Sequence, residues 1–413
     1  MAAGLRLLVA ALIIATALDE IVAVALLFHL AQEVGTSLAI TWLLLAQVIP
    51  VILFSPLAGV VVDKFGAKRV LVWTAMPQAV FLVLLGMAQS YLTIYAGVAA
   101  LSVVFSFSGP ALFALIPKVS ERAGLTLERT NSLLEISKGV GGIAGPIFGG
   151  LLLEVLGFSS TVIIAAVWSF IIPMTVFFLG VDSVMQPSQA AEFGPLAALR
   201  KSYKPILRNH LIFLIICTFG LLVFSTTFSD VVFIYFATLN LGASALQVGA
   251  LIACWAIGLA LAAWFAGNRP NNSLSLSSVQ QAYLGGAVMG VCLLASGVVA
   301  LTLTDDLKLI GVAVTFLIGG VGNGLHNVAV RNVIHRYVPA GQHGRAFAFY
   351  LGVSRVASLC GFFGGGLVGA ANAVAAYLTS GVLATLAACF GWVATRRGKP
   401  MIGNNRAKGE SDE

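Results

Sequence analysis

The stretch Gly59-Val-Val-Val-Asp63-Lys64-Phe65-Gly66-Ala67-Lys68-Arg69 separates two long apolar runs, 38–62 and 70–89. Gly59 lets a neighbouring helix approach closely, and Gly66 suits the tight turn that so short a connection needs. Lys68 and Arg69 hold this end of both runs at a charged membrane surface. Asp63 is a lone acid in a basic loop, well placed to meet the positive end of a neighbouring helix. The plainer alternative is an ordinary short basic loop.

The same alternation of apolar run and polar break continues along the whole chain. Of its 413 residues, 59% are apolar and only 9% charged, with a mean hydropathy of +0.99. A soluble domain carries about 25% charged residues, so this chain cannot cover a water-facing surface. Its solvent is lipid. A spanning helix needs roughly 20 apolar residues, and the runs fall near 5–31, 38–62, 70–89, 91–116, 131–155, 158–180, 210–238, 244–267, 279–303, 308–335, 346–370 and 373–395. Runs of this length exclude barrel strands. The expected fold is therefore an all-α membrane protein with twelve transmembrane helices.

Lys and Arg fall in alternate breaks. Lys64, Lys68 and Arg69 occupy one, Lys118, Arg122 and Arg129 another, and Arg200, Lys201, Lys204 and Arg208 the long central one. Arg269, Arg336 and Arg345 follow, then Arg396, Arg397, Lys399, Arg406 and Lys408 in the tail, whereas the intervening loops hold a single Lys308. This places both termini in the cytoplasm of a bacterial-type inner membrane. The net charge of +7 is thus a topology signal and not a nucleic-acid footprint. The five cysteines lie in apolar runs without a CxxC and read as small core residues.

The break at 181–209, with Pro187, Pro195 and Pro205, divides the chain into a bundle at 1–180, a cytoplasmic linker, a bundle at 210–395 and a tail at 396–413. An internal repeat supports the division. GGIAGPIFGG (Gly141–Gly150) recurs as GFFGGGLVGA (Gly361–Ala370), each in the fifth run of its half, and VGTSLAITWLLLA (Val34–Ala46) parallels LGASALQVGALIA (Leu241–Ala253). Pro50, Pro56, Pro77, Pro110, Pro146 and Pro173 all fall in first-half runs, while the second half concentrates glycine near 361–369. Proline bends a helix and glycine lets helices close up, so the halves use different devices.

The loop at 59–69 resembles the signature loop of the major facilitator superfamily, with Ala67 where a basic residue is common. That resemblance implies two pseudo-symmetric six-helix bundles, and for Gly59, Asp63, Lys64, Gly66, Lys68 and Arg69 a role in conformational switching. There Asp63 would contact span eleven and stabilise the outward-facing state. The second-half counterpart, Gly267-Asn-Arg-Pro-Asn, is degenerate. Gly141, Gly145, Pro146, Gly149 and Gly150 look like the superfamily's antiporter motif, which marks exporters, although small-residue spacing also serves ordinary packing. Over the whole chain, Asn131–Gly150 and Pro339–Gly366 resemble the enterobactin-exporter and macrolide-efflux branch. Span four lacks the arginine that many proton-coupled antiporters place there, which sets proton coupling in question.

Charged groups within hydrocarbon cost on the order of 3 kcal/mol and are functional candidates by default. Asp19 and Glu20 lie halfway along span one; neighbours on a helix point about 100° apart, so Asp19 is assigned to a cavity and Glu20 to a neighbouring helix. Asp230 lies in span seven, and matching the turn glycines Gly35 and Gly242 puts it opposite Ala23, about one turn from Asp19. Two carboxylates on a common cavity would bind a proton or a cation; the alternative is a pair of structural hydrogen-bond partners. Arg355 is the deepest base, suited to a buried acid or an anionic substrate. Glu135 and Lys138 have the spacing of a local ion pair. Gln47, Asn323, His326 and Asn327 complete the polar candidates, with His326 open to either a titrating or a structural role.

There is no P-loop, HExxH, GxSxG or metal-ligand cluster, so neither an enzyme nor a cofactor nor a metal is expected. The expected function is proton-coupled export of a small organic molecule, such as a drug, antibiotic or siderophore-like compound, by a monomer in contact with lipid. Import of a nutrient, lysolipid flipping, or a receptor or membrane-embedded enzyme are the competing readings. The charges leave open whether the substrate is a cation or an anion.

Overall fold

The computed structural model of the chain describes residues 3–124, 127–179, 210–268, 276–338, 343–370 and 372–396. The expected linker and tail lie outside these, apart from Arg396. Twelve helices follow one another among the described residues: α1 (Ala3–Val34), α2 (Ser37–Phe65), α3 (Ala67–Gly86), α4 (Tyr91–Ala123), α5 (Leu127–Trp168), α6 (Ile171–Leu179), α7 (His210–Tyr235), α8 (Ala245–Asn268), α9 (Ser278–Thr302), α10 (Asp305–Tyr337), α11 (His343–Gly369) and α12 (Ala373–Arg396). A π turn, Phe236–Asn240, extends α7.

Among the described residues, eleven continuous segments are long and apolar enough to cross a membrane, and one of them, Ile136–Phe178, has 43 residues. At 1.5 Å per residue it would reach roughly 65 Å, about twice the hydrocarbon thickness. It cannot run straight. Gly157, with φ 75° and ψ 176°, breaks the helix inside α5, and only glycine adopts that backbone readily. The remainder of α5 and α6 form the sixth span, which gives the expected twelve. Gly66 makes the other sharp reversal, between α2 and α3, with φ 85° and its N–H donating to the Val62 carbonyl at 2.9 Å. At two helices side chains cap the N-terminus. Ser277 and Gln280 form a capping box at α9, and the Asn372 carboxamide accepts from Val374 and Ala375 at 2.8 and 3.1 Å at α12.

Two bundles result. In the first, α1 packs on α5, and α4 on α2 and α3; in the second, α7 packs on α11 and α12, and α9 and α10 on each other. They meet along α5–α8 and α2–α11. Lipid tails are as apolar as leucine, so burial cannot hold such helices together; close packing and a few hydrogen bonds must.

Among the described residues, the buried core joins the bundles at one end. The end opposite the 63–69 loop carries a single buried cluster drawn from both halves, including Leu30, Ile40, Val98, Val231, Phe236, Leu251 and Tyr377. Toward the basic end the core splits in two. Leu8, Leu12, Val70 and Leu115 belong to a first-half cluster, and Ile215, Phe219, Tyr283 and Val333 to a separate second-half one.

Among the described residues, four hydrogen bonds between the halves follow the same division. Ser37 Oγ donates to the Gly366 carbonyl (2.7 Å), Thr41 Oγ1 to Phe362 (3.2 Å) and the Tyr235 hydroxyl to Thr36 (2.7 Å). Glu154 Oε1 accepts the Leu246 N–H at 2.9 Å, in the first turn of α8. All four lie away from the basic loop.

The cysteines depart from the sequence reading. Cys292 is buried, but Cys217, Cys360 and Cys389 are exposed, because an apolar thiol in a lipid-solvated helix needs no core around it.

Candidate functional site

A cavity of about 490 Å³ opens inside the first bundle, lined by α1 to α6. The face of α1 that lines it includes Leu12, Thr16, Asp19, Ala23 and Leu26, so Asp19 sits at the middle of that face. Asp19 is exposed to this space although it lies mid-span. Gln47 contributes from α2, Thr74 and Gln78 from α3, Ser102, Phe105 and Ser108 from α4, Lys138 from α5 and Ser169 from the turn between α5 and α6. Ser108 Oγ donates to Thr74 Oγ1 at 3.2 Å, which donates in turn to the Leu71 carbonyl at 3.1 Å. The remaining wall is mostly leucine, valine and alanine. Volume and character suit a drug-sized, largely apolar molecule.

Of the predicted site residues, Asp19 and Gln47 come together here. Glu20 starts at the α1–α5 seam, where its Cβ faces Gly145, in keeping with its assignment to a neighbouring helix. Asp230 is exposed on α7, interacts electrostatically with Tyr377, and is not among the walls of the Asp19 cavity. Arg355 is exposed on α11 and also lies outside those walls. His326 is 2% exposed; its Nδ1 meets the Ala282 carbonyl at 2.9 Å, the Phe219 ring stands edge-on to it, and Nε2 has no partner. Asn327 donates to Asn323 at 3.0 Å along α10. None of these second-half groups is among the residues that line that cavity.

Sequence reading passed over Thr16, Thr74, Gln78, Ser102 and Ser108, and treated Lys138 only as a local ion-pair partner. The signal was a hydroxyl or carboxamide mid-run on the helix faces that also carry Asp19 and Gln47. The Glu135 side chain, the expected partner of Lys138, lies outside the described ones.

The glycines of the fifth span divide their work between two neighbours. A methyl at Gly141 would come within 2.6 Å of the Ile13 carbonyl, at Gly145 within 2.6 Å of the Ala17 carbonyl, and at Gly149 within 2.9 Å of Ile21 Cα. This stripe seats α1, the helix bearing Asp19. On the adjoining face Gly150 abuts Ala245 and Leu246 of α8, and Gly249 of α8 abuts the Pro146 carbonyl. The second half repeats the device, with Gly361, Gly365 and Gly369 against α7 and Gly366 against Thr41 of α2.

In the 59–69 loop, Ala67 is buried, Lys64 and Arg69 are exposed, and Lys68 Nζ lies 5.2 Å from the Phe177 ring centre, tying the loop to α6. The side chains of Gly59's neighbour Val60 and of Asp63 lie outside the described ones, and so does the expected Asp63 contact with α11.

Comparison with known proteins agrees with this architecture. The chain resembles the multidrug efflux pump Tap of Mycolicibacterium fortuitum, 29% identical over 170 residues, which are 39% of this chain and 42% of that pump's length. An uncharacterised transporter of Bacillus subtilis, YfiS, is 25% identical over 371 residues, covering 88% of this chain and 86% of its own. Among solved structures, the nucleoside transporter NupG superposes with a TM-score of 0.74 at 14% identity, covering 96% of this chain and 100% of that one. An inward-facing, unoccupied bacterial homolog of the lysosomal transporter Spinster gives 0.68 at 14%, covering 96% and 98%. At such identities these structures speak for the fold. The profile of the Major Facilitator Superfamily matches residues 8–282, and the chain belongs to that superfamily of transporters.

Proposed function

We propose that this transporter exports small organic molecules across the inner membrane by alternating access. One observation supports the reading: an acid stands deep in a drug-sized cavity, in a molecule whose described core is shared by both halves away from the basic loops and divides in two toward them. With those loops and both termini in the cytoplasm, this is the inward-facing arrangement, ready to load from the cell interior. The units that rock are residues 1–180 and 210–395, linked through 181–209, with 396–413 as a tail. The protein works as a monomer in lipid.

Opening the opposite end requires breaking the four hydrogen bonds there. Within membranes such bonds average about 0.6 kcal/mol each, so together they hold about 2 kcal/mol. That is small enough for both states to be populated.

Asp19 takes up a proton on the return stroke and releases it when substrate binds, with Asp230 as its counterpart in the second half. The glycine stripe on α5, which resembles the antiporter motif, favours export, as does the likeness to Tap, named a multidrug efflux pump. Inverted membrane vesicles test the reading. Vesicles holding the protein should accumulate ethidium when a proton gradient is imposed, stop on adding a protonophore, and fail with Asp19→Asn. Accumulation by intact cells in place of inverted vesicles would identify an importer and overturn it.

A further inference from the structure

α4 brings Ser102, Phe105, Ser108, Gly109 and Leu112 to the cavity wall, a spacing that lays one face of the helix along it. Gly109 is the one glycine in that wall among the described residues, and it is exposed to the space. The glycines of α5 serve packing, since a methyl at Gly141 or Gly145 would come within 2.6 Å of the α1 backbone. Among the described residues, a methyl at Gly109 meets nothing within 4 Å. Packing therefore makes no demand for glycine here, and glycine is a poor helix former. Pro110 crowds the Cβ of the residue before it, so a residue without one is easier to hold in the helix. The consequence for the cavity is a recess in its α4 wall.

The recess lies on the way to Asp19. On α4, Ala111 belongs to the buried cluster near the basic loop and Leu101 to the one at the joined end. On α1, Leu12 and Val22 belong to the same two clusters. Gly109 is next but one to Ala111, whereas Asp19 is within one turn of Val22, so Gly109 stands on the basic-loop side of Asp19. The bond from Ser108 to Thr74 agrees, because Thr74 follows Leu71 of the near cluster by one turn. Phe105 stands one turn deeper than Gly109 on the same face. We infer that Gly109 sets the bulk of the substrates that the cavity admits: a ring substituent seats on its bare backbone, beside the Phe105 ring, while the cationic centre pairs with Asp19. The inference rests on the cavity being the transport site. A side chain at position 109 fills the recess and confines the cavity to slimmer cations of the same charge.

Two dyes supply the test. Ethidium and proflavine are both flat, singly charged cations, but only ethidium carries a phenyl and an ethyl group on its ring system. Binding to the purified full-length protein in detergent is read by fluorescence anisotropy. Gly109→Leu should weaken ethidium about tenfold, the order of an overpacked site, and leave proflavine within about twofold. Gly109→Ala should give the same order with a smaller ratio. The double variant Gly109→Leu with Pro110→Ala removes the crowding by proline and keeps the bulk, so it should still discriminate against ethidium. Thermal melting of each variant separates lost selectivity from lost folding. Unchanged ethidium binding, an equal loss of both dyes by the folded variants, or ethidium binding restored in the double variant overturns Gly109 as the size-setting position and leaves a cation exporter in place. Failure of both dyes to bind the folded wild-type protein overturns the cavity as the transport site and this inference with it.

Discussion

Asp19 of α1 and Asp230 of α7 occupy the same position in the packing of the two halves. Gly141 meets Ile13 and Thr16 as Gly361 meets Phe224 and Thr227; Gly145 meets Ala17 as Gly365 meets Phe228; Gly149 meets Ile21 as Gly369 meets Val232. Continuing the same count along α1 and α7 brings Asp19 onto Asp230. The match of turn glycines, Gly35 with Gly242, had set Asp230 opposite Ala23. The discrepancy is one helical turn, because α1 runs a turn further than α7 between its acid and its glycine. Packing is the better guide to which residues are equivalent, since the seam and the acid belong to the same stretch of helix.

Equivalent position does not mean equal surroundings, and a first prediction follows. Asp19 lines the cavity beside Thr16 and Gln47, whereas Asp230 lies by Tyr377 outside its walls. Asp19→Asn is expected to lower substrate efflux by tenfold or more and to weaken binding. Asp230→Asn should leave binding in the first-bundle cavity within twofold while slowing the transport cycle. Equilibrium binding and efflux assays on the same two variants separate these outcomes.

The glycine seams predict a sharp contrast between two positions three residues apart on α5. A side chain at Gly145 meets the α1 backbone, whereas a methyl at Gly142 meets nothing within 4 Å. Overpacking of this kind costs about 1–3 kcal/mol. Gly145→Val should lower the melting temperature in detergent by several degrees, and Gly142→Ala should leave it unchanged. Gly365→Val should act like Gly145→Val, because it strikes Phe228 in the equivalent seam.

The single-glycine break in α5 gives a third. Gly157 has its backbone in a region that other residues enter at a cost of about 1–3 kcal/mol. Its Cβ position is open, so the expense of Gly157→Ala is conformational and not steric. Loss of melting temperature with Gly157→Ala, but not with Gly139→Ala, where space is also open and the helix is regular, checks this.

Much of this architecture could be read before any coordinates, for a physical reason. In lipid, a helix must be long, apolar and bounded by polar residues, so the runs at 38–62 or 279–303 announce themselves as α2 and α9 within a few residues. The site was less legible. Asp19 stood out because charge in hydrocarbon is rare, but Thr74, Ser102 and Ser108 did not, because hydroxyls hide easily in a helix by bonding to their own backbone, as Thr74 does to Leu71. Arg355 stood out for the same reason as Asp19, yet lies outside that cavity's walls. Depth in the membrane is written in the sequence; which face of a helix meets the cavity is settled by partners that are distant in the chain.

The joined end gives the last prediction. Ser37, Thr41 and Tyr235 each place a hydroxyl within hydrogen-bond distance of a carbonyl of the other half, and Thr41 Oγ1 also reaches the Ser37 carbonyl at 3.3 Å. Removing all three, as Ser37→Ala, Thr41→Val and Tyr235→Phe, keeps the packing close to its present volume. At about 0.6 kcal/mol each, the loss is about 2 kcal/mol, or a shift of roughly twentyfold toward the state open at that end. Spin labels at Ser90 in the first half and Leu303 in the second, in a cysteine-free background, report the separation by double electron–electron resonance. The triple variant should move population from the short to the long distance, and Glu154→Gln, which weakens the contact with the first turn of α8, should add to the shift. An unchanged distance distribution in both would mean that apolar packing alone holds this end closed.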